Sequence, residues 1–190
     1  MYRVITYLAL SKELSLENEK ELLEIIPSTK IDFVRKMKGE QDVYCNETNV
    51  TKEIRSPLIS QGVSKVAMYP SVRKELVNIQ RALAKDKNVV MDGRDTGTVV
   101  LPNAECKIFL TASLEERAKR RYLELKGKGY SNNLESIKKD IAERDYLDKN
   151  RSASPLTPAH DAVIIDTTSL SLNEVIKKIL KIHTLIMEEA

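Results

Sequence analysis

The run NVVMDGRDTGTVVLP, Asn88–Pro102, places two Asp, one Arg and a Thr in a glycine-flexed loop after the apolar Val89-Val90-Met91. Arg94 offers a planar fork of donors, and Asp95 accepts. A second group lies in AERDYLDKNRSASPLTPAHD. There Arg144, Asp148 and Arg151 are spaced four and three apart, so on a helix they share one face. A third, EERAKRRYLELKGKGY, clusters Arg117, Arg120, Arg121, Lys126 and Lys128 beside a glycine-hinged joint. Each has a plain structural reading: Asp-Gly turn punctuation, a solvated salt-bridge face, a wet basic helix. Together they point to phosphate, because a guanidinium binds two oxygens at once and stays charged. A cationic helix joined by glycines could swing over a phosphate donor as a lid. His160 and His183 sit in no triad or metal-ligand pattern. Transfer to a phosphate acceptor needs neither. Such an acceptor is already an anion, and the barrier falls through positioning and cationic stabilisation.

The elements that must hold these groups follow from periodicity. Met1 to Ile26 has helical apolar spacing, stopped by Pro27. Lys30 to Glu53 carries β-branched and aromatic residues and a turn at Lys38-Gly39-Glu40, which predicts a small antiparallel hairpin or meander. Ile59 to Lys85 is helical again, broken or restarted at Pro70. Three short apolar runs read as buried strands: Asn88–Met91, Cys106–Leu110 and Val163–Asp166. Ser113 with Glu116 and Ser171 with Glu174 match capping boxes. They open helices to about Lys126 and along LNEVIKKILKIHTLIMEE, and a further helix covers about Leu134–Asp148. The alternation of strand and helix predicts an α/β fold with a parallel sheet.

Bulk composition is consistent with this. In 190 residues, 42% are hydrophobic and 31% charged, enough for a real core. The net charge of +3 is mild, which argues against a nucleic-acid polymer as partner and suits a small anion. Cys45 and Cys106 form neither a disulfide framework nor a zinc spacing and read as reduced thiols. No signal peptide or membrane span is legible, so a cytoplasmic location without membrane contact is expected.

Several segments carry a resemblance: MYR at the start, SKVAMYPSVR, DGRDTGTVVLPNA followed by CKIFLTAS and EERAKRR, then AERDYLDKNRSASPL and DAVIIDTTSLSLNEVI. The chain resembles the bacterial cytidylate kinases essentially end to end. The resemblance implies a P-loop-kinase-like parallel sheet wrapped by helices, in a single domain over residues 1–190. It also implies a small antiparallel β insertion at 27–60 that binds the nucleoside monophosphate, and a helical lid region at 117–151. It implies transfer of the ATP γ-phosphate to CMP or dCMP, giving CDP or dCDP, with Mg²⁺ and with a monomer expected for the full-length form. Ser64, Arg73 and Asp95 fall on positions that grip the cytosine ring. Arg3 and Arg94 fall on acceptor-phosphate positions, and Arg144 and Asp148 on positions near the acceptor sugar. Arg144 and Arg151 are the catalytic candidates, with Arg117, Arg120 and Arg121 as lid cations and no metal ligand among the side chains. Chemistry agrees with the base assignment: an Asp accepts from the cytosine amine while Arg and Ser donate to its ring acceptors. Uracil would set its O4 against a carboxylate with no proton to offer.

The same family carries a Walker A run, G-x-x-x-x-G-K-[ST], whose amides cradle donor phosphates. None of Gly39, Gly62, Gly93, Gly97, Gly127 or Gly129 falls in that pattern. The favoured expectation is that Met1 lies inside a longer enzyme. A genuine short form that lost catalysis is the competing reading. On either, the 190-residue chain is expected to be poorly stable or aggregation-prone by itself and marginal as a kinase, with edges exposed at Val89–Met91 and Ile108–Leu110. Rival functions are a same-fold kinase for another acceptor, such as UMP or a shikimate-like molecule, and a non-catalytic nucleotide-binding or interaction module.

Overall fold

The computed structural model describes residues 1–37, 39–131 and 133–189. Lys38 of the expected turn and Asn132 of the basic joint lie outside the described residues. The chain divides into two compact units, Met1–Val89 with Arg151–Ala153, and Val90–Asn150 with Ser154–Ala190.

In the first unit the continuous helical pattern resolves into α1 (Tyr2–Ser11) and α2 (Glu19–Ile25). The break between them is capped locally, since the Asn18 side chain accepts from Glu21 N and satisfies a first-turn donor. The meander forms as expected. Strand β1 (Ile31–Arg35) pairs antiparallel with β2 (Gln41–Cys45), which pairs with β3 (Thr48–Asn49). Gly39 takes φ +81° in the β1–β2 turn, a conformation open to glycine without steric cost. A 3₁₀ turn (Glu53–Arg55) leads to α3 (Pro57–Val66) and α4 (Pro70–Ala84), both with Pro in the first turn.

Helix α1 lies between two apolar clusters. Ile5 and Ala9 pack with Leu22, Ile25, Ile26, Val66, Val72 and Leu76. Val4, one residue away, packs with Ile31, Val43, Cys45, Val50 and Ile54 of the meander. Burial pushes the Cys45 thiol pKa up. Gly62 lets α1 and α3 approach: a Cβ there would meet Leu16 Cδ1 at 2.7 Å and Thr6 Cγ2 at 3.2 Å. Leu16 can yield its methyl to Ala, but the branched Val cannot be seated as easily. Gly62→Val is expected to cost roughly 1–3 kcal/mol by overpacking, read as a lower urea midpoint at unchanged slope.

Asp42 ties the meander together. It is buried, accepts from Asn49 Nδ2 at 3.0 Å and pairs with Lys36 Nζ at 2.9 Å. The Lys36 hydrogen bond is the main reason its carboxyl titrates below the ordinary 3.8. A carboxyl depressed on folding stabilises above its unfolded pKa, and that support is lost as pH falls through the depressed value. Asp42→Asn is therefore expected to flatten the acid limb of the stability profile below about pH 4, measured by denaturant melts across pH.

In the second unit β4 (Ile108–Thr111) pairs in parallel with β5 (Val163–Asp166), Ile108 opposite Val163. Helices α5 (Leu114–Gly127) and α6 (Leu134–Asn150) pack through Ala118, Leu125 and Ile137, and α7 (Leu172–Glu189) closes the chain. Ser113 Oγ accepts from Glu116 N to open α5. Ser171 and Glu174 exchange both bonds of the capping box that opens α7. Two expectations fail. Residues 88–91 form no strand, and Val90 is fully exposed. An apolar run becomes a strand only where a neighbouring backbone pairs with it, and none does so among the described residues. Nor are β4 and β5 buried on both faces: Leu110 and Ile164, on opposite faces of the two-stranded sheet, are both exposed, and for Leu110 this is the exposure expected of a sheet without a first strand. No described helix is long and apolar enough to cross a membrane.

Candidate functional site

The loop that carries Arg94 and Asp95 runs into a single π-type turn, Thr96–Val100. Val100 N reaches back five residues to Asp95 O at 3.2 Å, and Leu101 N to Thr96 O at 2.8 Å. Such wide turns recur at functional sites because they project backbone and side chains off the regular path. This one buries Asp95, and Val100 beneath it belongs to the core.

Arg94 Nε lies 2.5 Å from Asp148 Oδ2. Arg144 Nε lies 3.8 Å from the same oxygen, one turn earlier on α6. The Asp148 side chain is only 5% exposed. A buried carboxylate is thus flanked by two guanidiniums. Buried charge is tolerable only when paired in this way, and a guanidinium is a donor set suited to phosphate oxygens. The Asp148 carbonyl also accepts from Leu156 N at 2.8 Å, which holds the chain as it leaves α6.

The i, i+4 spacing placed Arg144 and Asp148 on one helix face, as found. It placed Arg151 there too, and that is corrected. Helix α6 ends at Asn150, so Arg151 lies past its terminus, is buried, and clusters with the first unit.

The three proposed lid cations each have partners within the second unit. Arg117 bridges Ala112 O at 3.0 Å and Asp145 Oδ2 at 2.6 Å. Arg121 pairs with Glu124 at 2.7 Å. Arg120 pairs with Glu116 at 2.8 Å and also donates to Thr167 O at 2.6 Å and Thr167 Oγ1 at 3.1 Å. Arg120 therefore fastens α5 to the turn after β5. None of these contacts involves Arg94, Arg144 or Asp148.

In the first unit, Arg3 donates to Ile54 O at 2.8 Å and Ser60 Oγ at 2.9 Å, joining α1 to the 3₁₀ turn and α3. Ser64 is buried on α3. Arg73, also buried, donates to Ala67 O at 3.2 Å, and its guanidinium carbon lies 5.2 Å from the centroid of the Tyr2 ring. A cation over an aromatic face is attracted by the ring quadrupole. Sequence reasoning missed Tyr2, and a tyrosine 71 residues upstream leaves no spacing signal. It also missed Lys107 and Asp161, which pair at 2.5 Å. A lysine next to an apolar strand reads as an ordinary solubilising flank.

Comparison with known proteins extends this picture over the whole chain. The family model described as cytidylate kinase matches residues 1–185. Over 182 residues the chain is 51% identical to the cytidylate kinase of Geobacillus sp. strain WCH70, covering 96% of this chain and 81% of that one. It is 51% identical to the cytidylate kinase of Bacillus cytotoxicus, and 50% to that of Bacillus cereus strain ATCC 10987, in both covering 96% of this chain and 80% of the relative. At half identity over nearly its full length, with the arginine and aspartate groups inside the matched span, the chain belongs to the cytidylate kinase family.

Proposed function

We propose that the chain acts in phosphoryl transfer from ATP to CMP or dCMP, giving CDP or dCDP and ADP, on a P-loop-kinase fold. The observation that carries the site reading is the buried Asp148 carboxylate between Arg94 and Arg144. In this reading the acceptor's phosphate oxygen attacks the γ-phosphorus, the bond to the β–γ bridging oxygen breaks, and ADP leaves. Arg94 and Arg3 bind the acceptor phosphate. Asp148 accepts from a sugar hydroxyl while it holds Arg94 and Arg144 in place. Arg144 and Arg151 face the charge that develops on the transferring group, where fixed cations lower the barrier. Asp95 accepts from the cytosine amine, and Ser64 and Arg73 donate to the ring acceptors. Residues 27–60 serve as the acceptor-binding insertion and 117–151 as the lid. Among the described residues no three His, Cys, Asp or Glu side chains gather as a cation cage. Mg²⁺ is the expected companion of the donor nucleotide, since this ion is usually held by substrate phosphates and water with one or two carboxylates rather than by an all-protein cage, and when bound it would supply charge neutralisation on the transferring group.

Calorimetric titration of the purified chain with CMP, beside UMP and without ATP, tests this reading, together with an assay for CDP. Selective CMP binding supports the acceptor assignment. Equal binding of UMP points to another acceptor. Selective binding without turnover favours a nucleotide-binding module. A folded chain that binds neither nucleotide overturns the pocket assignment.

A further inference from the structure

We propose that Lys107 is a positioning residue for cytosine recognition, acting with Asp161 to set the π-type turn that presents Asp95. The inference rests on the reading of Asp95 as the base acceptor.

Lys107 is charged, yet its side chain is only 6% exposed. Its Nζ donates to Pro102 O and to Asp161 Oδ2, each at 2.5 Å. Pro102 lies just past the exit of the Thr96–Val100 turn. The Gly97 backbone, inside that turn, passes over the lysine stem: a Cβ built on it would lie 3.5 Å from Lys107 Cδ and 3.7 Å from Cγ. One side chain therefore supports the turn near its start through its methylenes and grips its exit through its ammonium group. Asp161 supplies the countercharge that makes the burial tolerable and anchors the ammonium to the segment entering β5. The Lys107 backbone is tied to the same segment, because Val163 N donates to Lys107 O at 2.9 Å. Ala159, from that segment, also flanks Gly97, its Cβ 3.7 Å from the built position.

A wide turn lacks the regular ladder that steadies an α-helix, so its position depends on outside contacts. Asp95 accepts three bonds at the head of this one through its carbonyl, from Val99 N at 2.8 Å, Val100 N at 3.2 Å and Thr98 Oγ1 at 3.4 Å. A shift of the turn moves the Asp95 main chain with it. Displacement of a recognition group by about 1 Å is enough to cost orders of magnitude in a positioned site.

The test compares Lys107→Met, which keeps the stem and removes the ammonium, with Asp161→Asn, which keeps the shape and removes the countercharge. The Asp161 side chain is 45% exposed, so its replacement leaves a folded chain available should Lys107→Met not fold. The full chain is titrated with CMP, UMP and ATP, with Asp95→Asn as the control. The expected result is CMP binding weakened about tenfold or more in Lys107→Met and less in Asp161→Asn, a reduced CMP-to-UMP ratio, and unchanged ATP binding. An unchanged ratio in a folded variant overturns the proposal. So does a parallel loss of CMP and ATP binding, which is what general loosening would produce. If Asp95→Asn collapses the ratio and neither partner variant does, positioning by Lys107 is wrong and base reading by Asp95 stands. If Asp95→Asn leaves the ratio intact, the reading of Asp95 falls and this proposal falls with it.

Discussion

Asp148→Ala is expected to lower kcat/KM for CMP by roughly two orders of magnitude and to destabilise the chain by about 2–3 kcal/mol. Both effects have one origin. Asp148 pairs with both Arg94, at 2.5 Å, and Arg144, at 3.8 Å. Its removal leaves two guanidiniums facing each other across a buried gap. Arg94 is 38% exposed and can relax toward water, which keeps the stability cost below that of a wholly buried pair. Relaxation is also what harms function, since an arginine that swings outward no longer meets the acceptor. A cycle with Arg94→Met separates the two effects. If Asp148 acts by holding Arg94, the double variant loses little more activity than either single one. Losses that add independently would show that Asp148 acts by another route. Urea melts and steady-state kinetics on the four proteins decide it.

Asp95→Asn is expected to reduce the preference for CMP over UMP by about a hundredfold or more, with a smaller loss in CMP turnover. Asparagine keeps the size of the side chain but replaces a pure acceptor with an amide that can turn either end to the base. Uracil then finds a donor for its O4, while cytosine still finds a carbonyl for its amine. Discrimination by a carboxylate is large because the wrong base leaves a buried acceptor facing another acceptor. Ratios of kcat/KM for the two nucleotides measure it directly. A ratio that does not move assigns base reading elsewhere in the site.

The elements were legible wherever local chemistry decides them. The Ser171–Glu174 capping box, the Ser113 cap, the proline-opened helices and the β-branched meander are all written within a few residues. Residues 88–91 were misread for the opposite reason. Val89, Val90 and Met91 have the composition of a strand, but pairing is a property of two segments and cannot be read from one. The site divides in the same way. Arg144 and Asp148 are one helical turn apart, so spacing alone put them on one face. Arg94 and Asp148 are 54 positions apart, and only folding brings their charges to 2.5 Å. Arg151 shares that face only if the helix runs on through it, and α6 stops at Asn150, close to the end that the pattern predicts at about Asp148. Tyr2 beneath Arg73 and Lys107 beneath the π-type turn left no local mark. Each does its work by supporting another residue, and support is a tertiary property.

Helix α1 has one more consequence. None of its first nine residues is exposed, and its adjacent Val4 and Ile5 belong to different clusters. A helix with no watery side cannot open toward solvent while leaving its neighbours in place. The meander and the α2–α4 helices are therefore expected to unfold as one cooperative unit, with α1 as their common member. In native-state hydrogen exchange, the amides of residues 5–9 should be among the slowest in that unit. Destabilisation introduced in the meander should speed exchange in α4 by the same factor, although the two share no cluster.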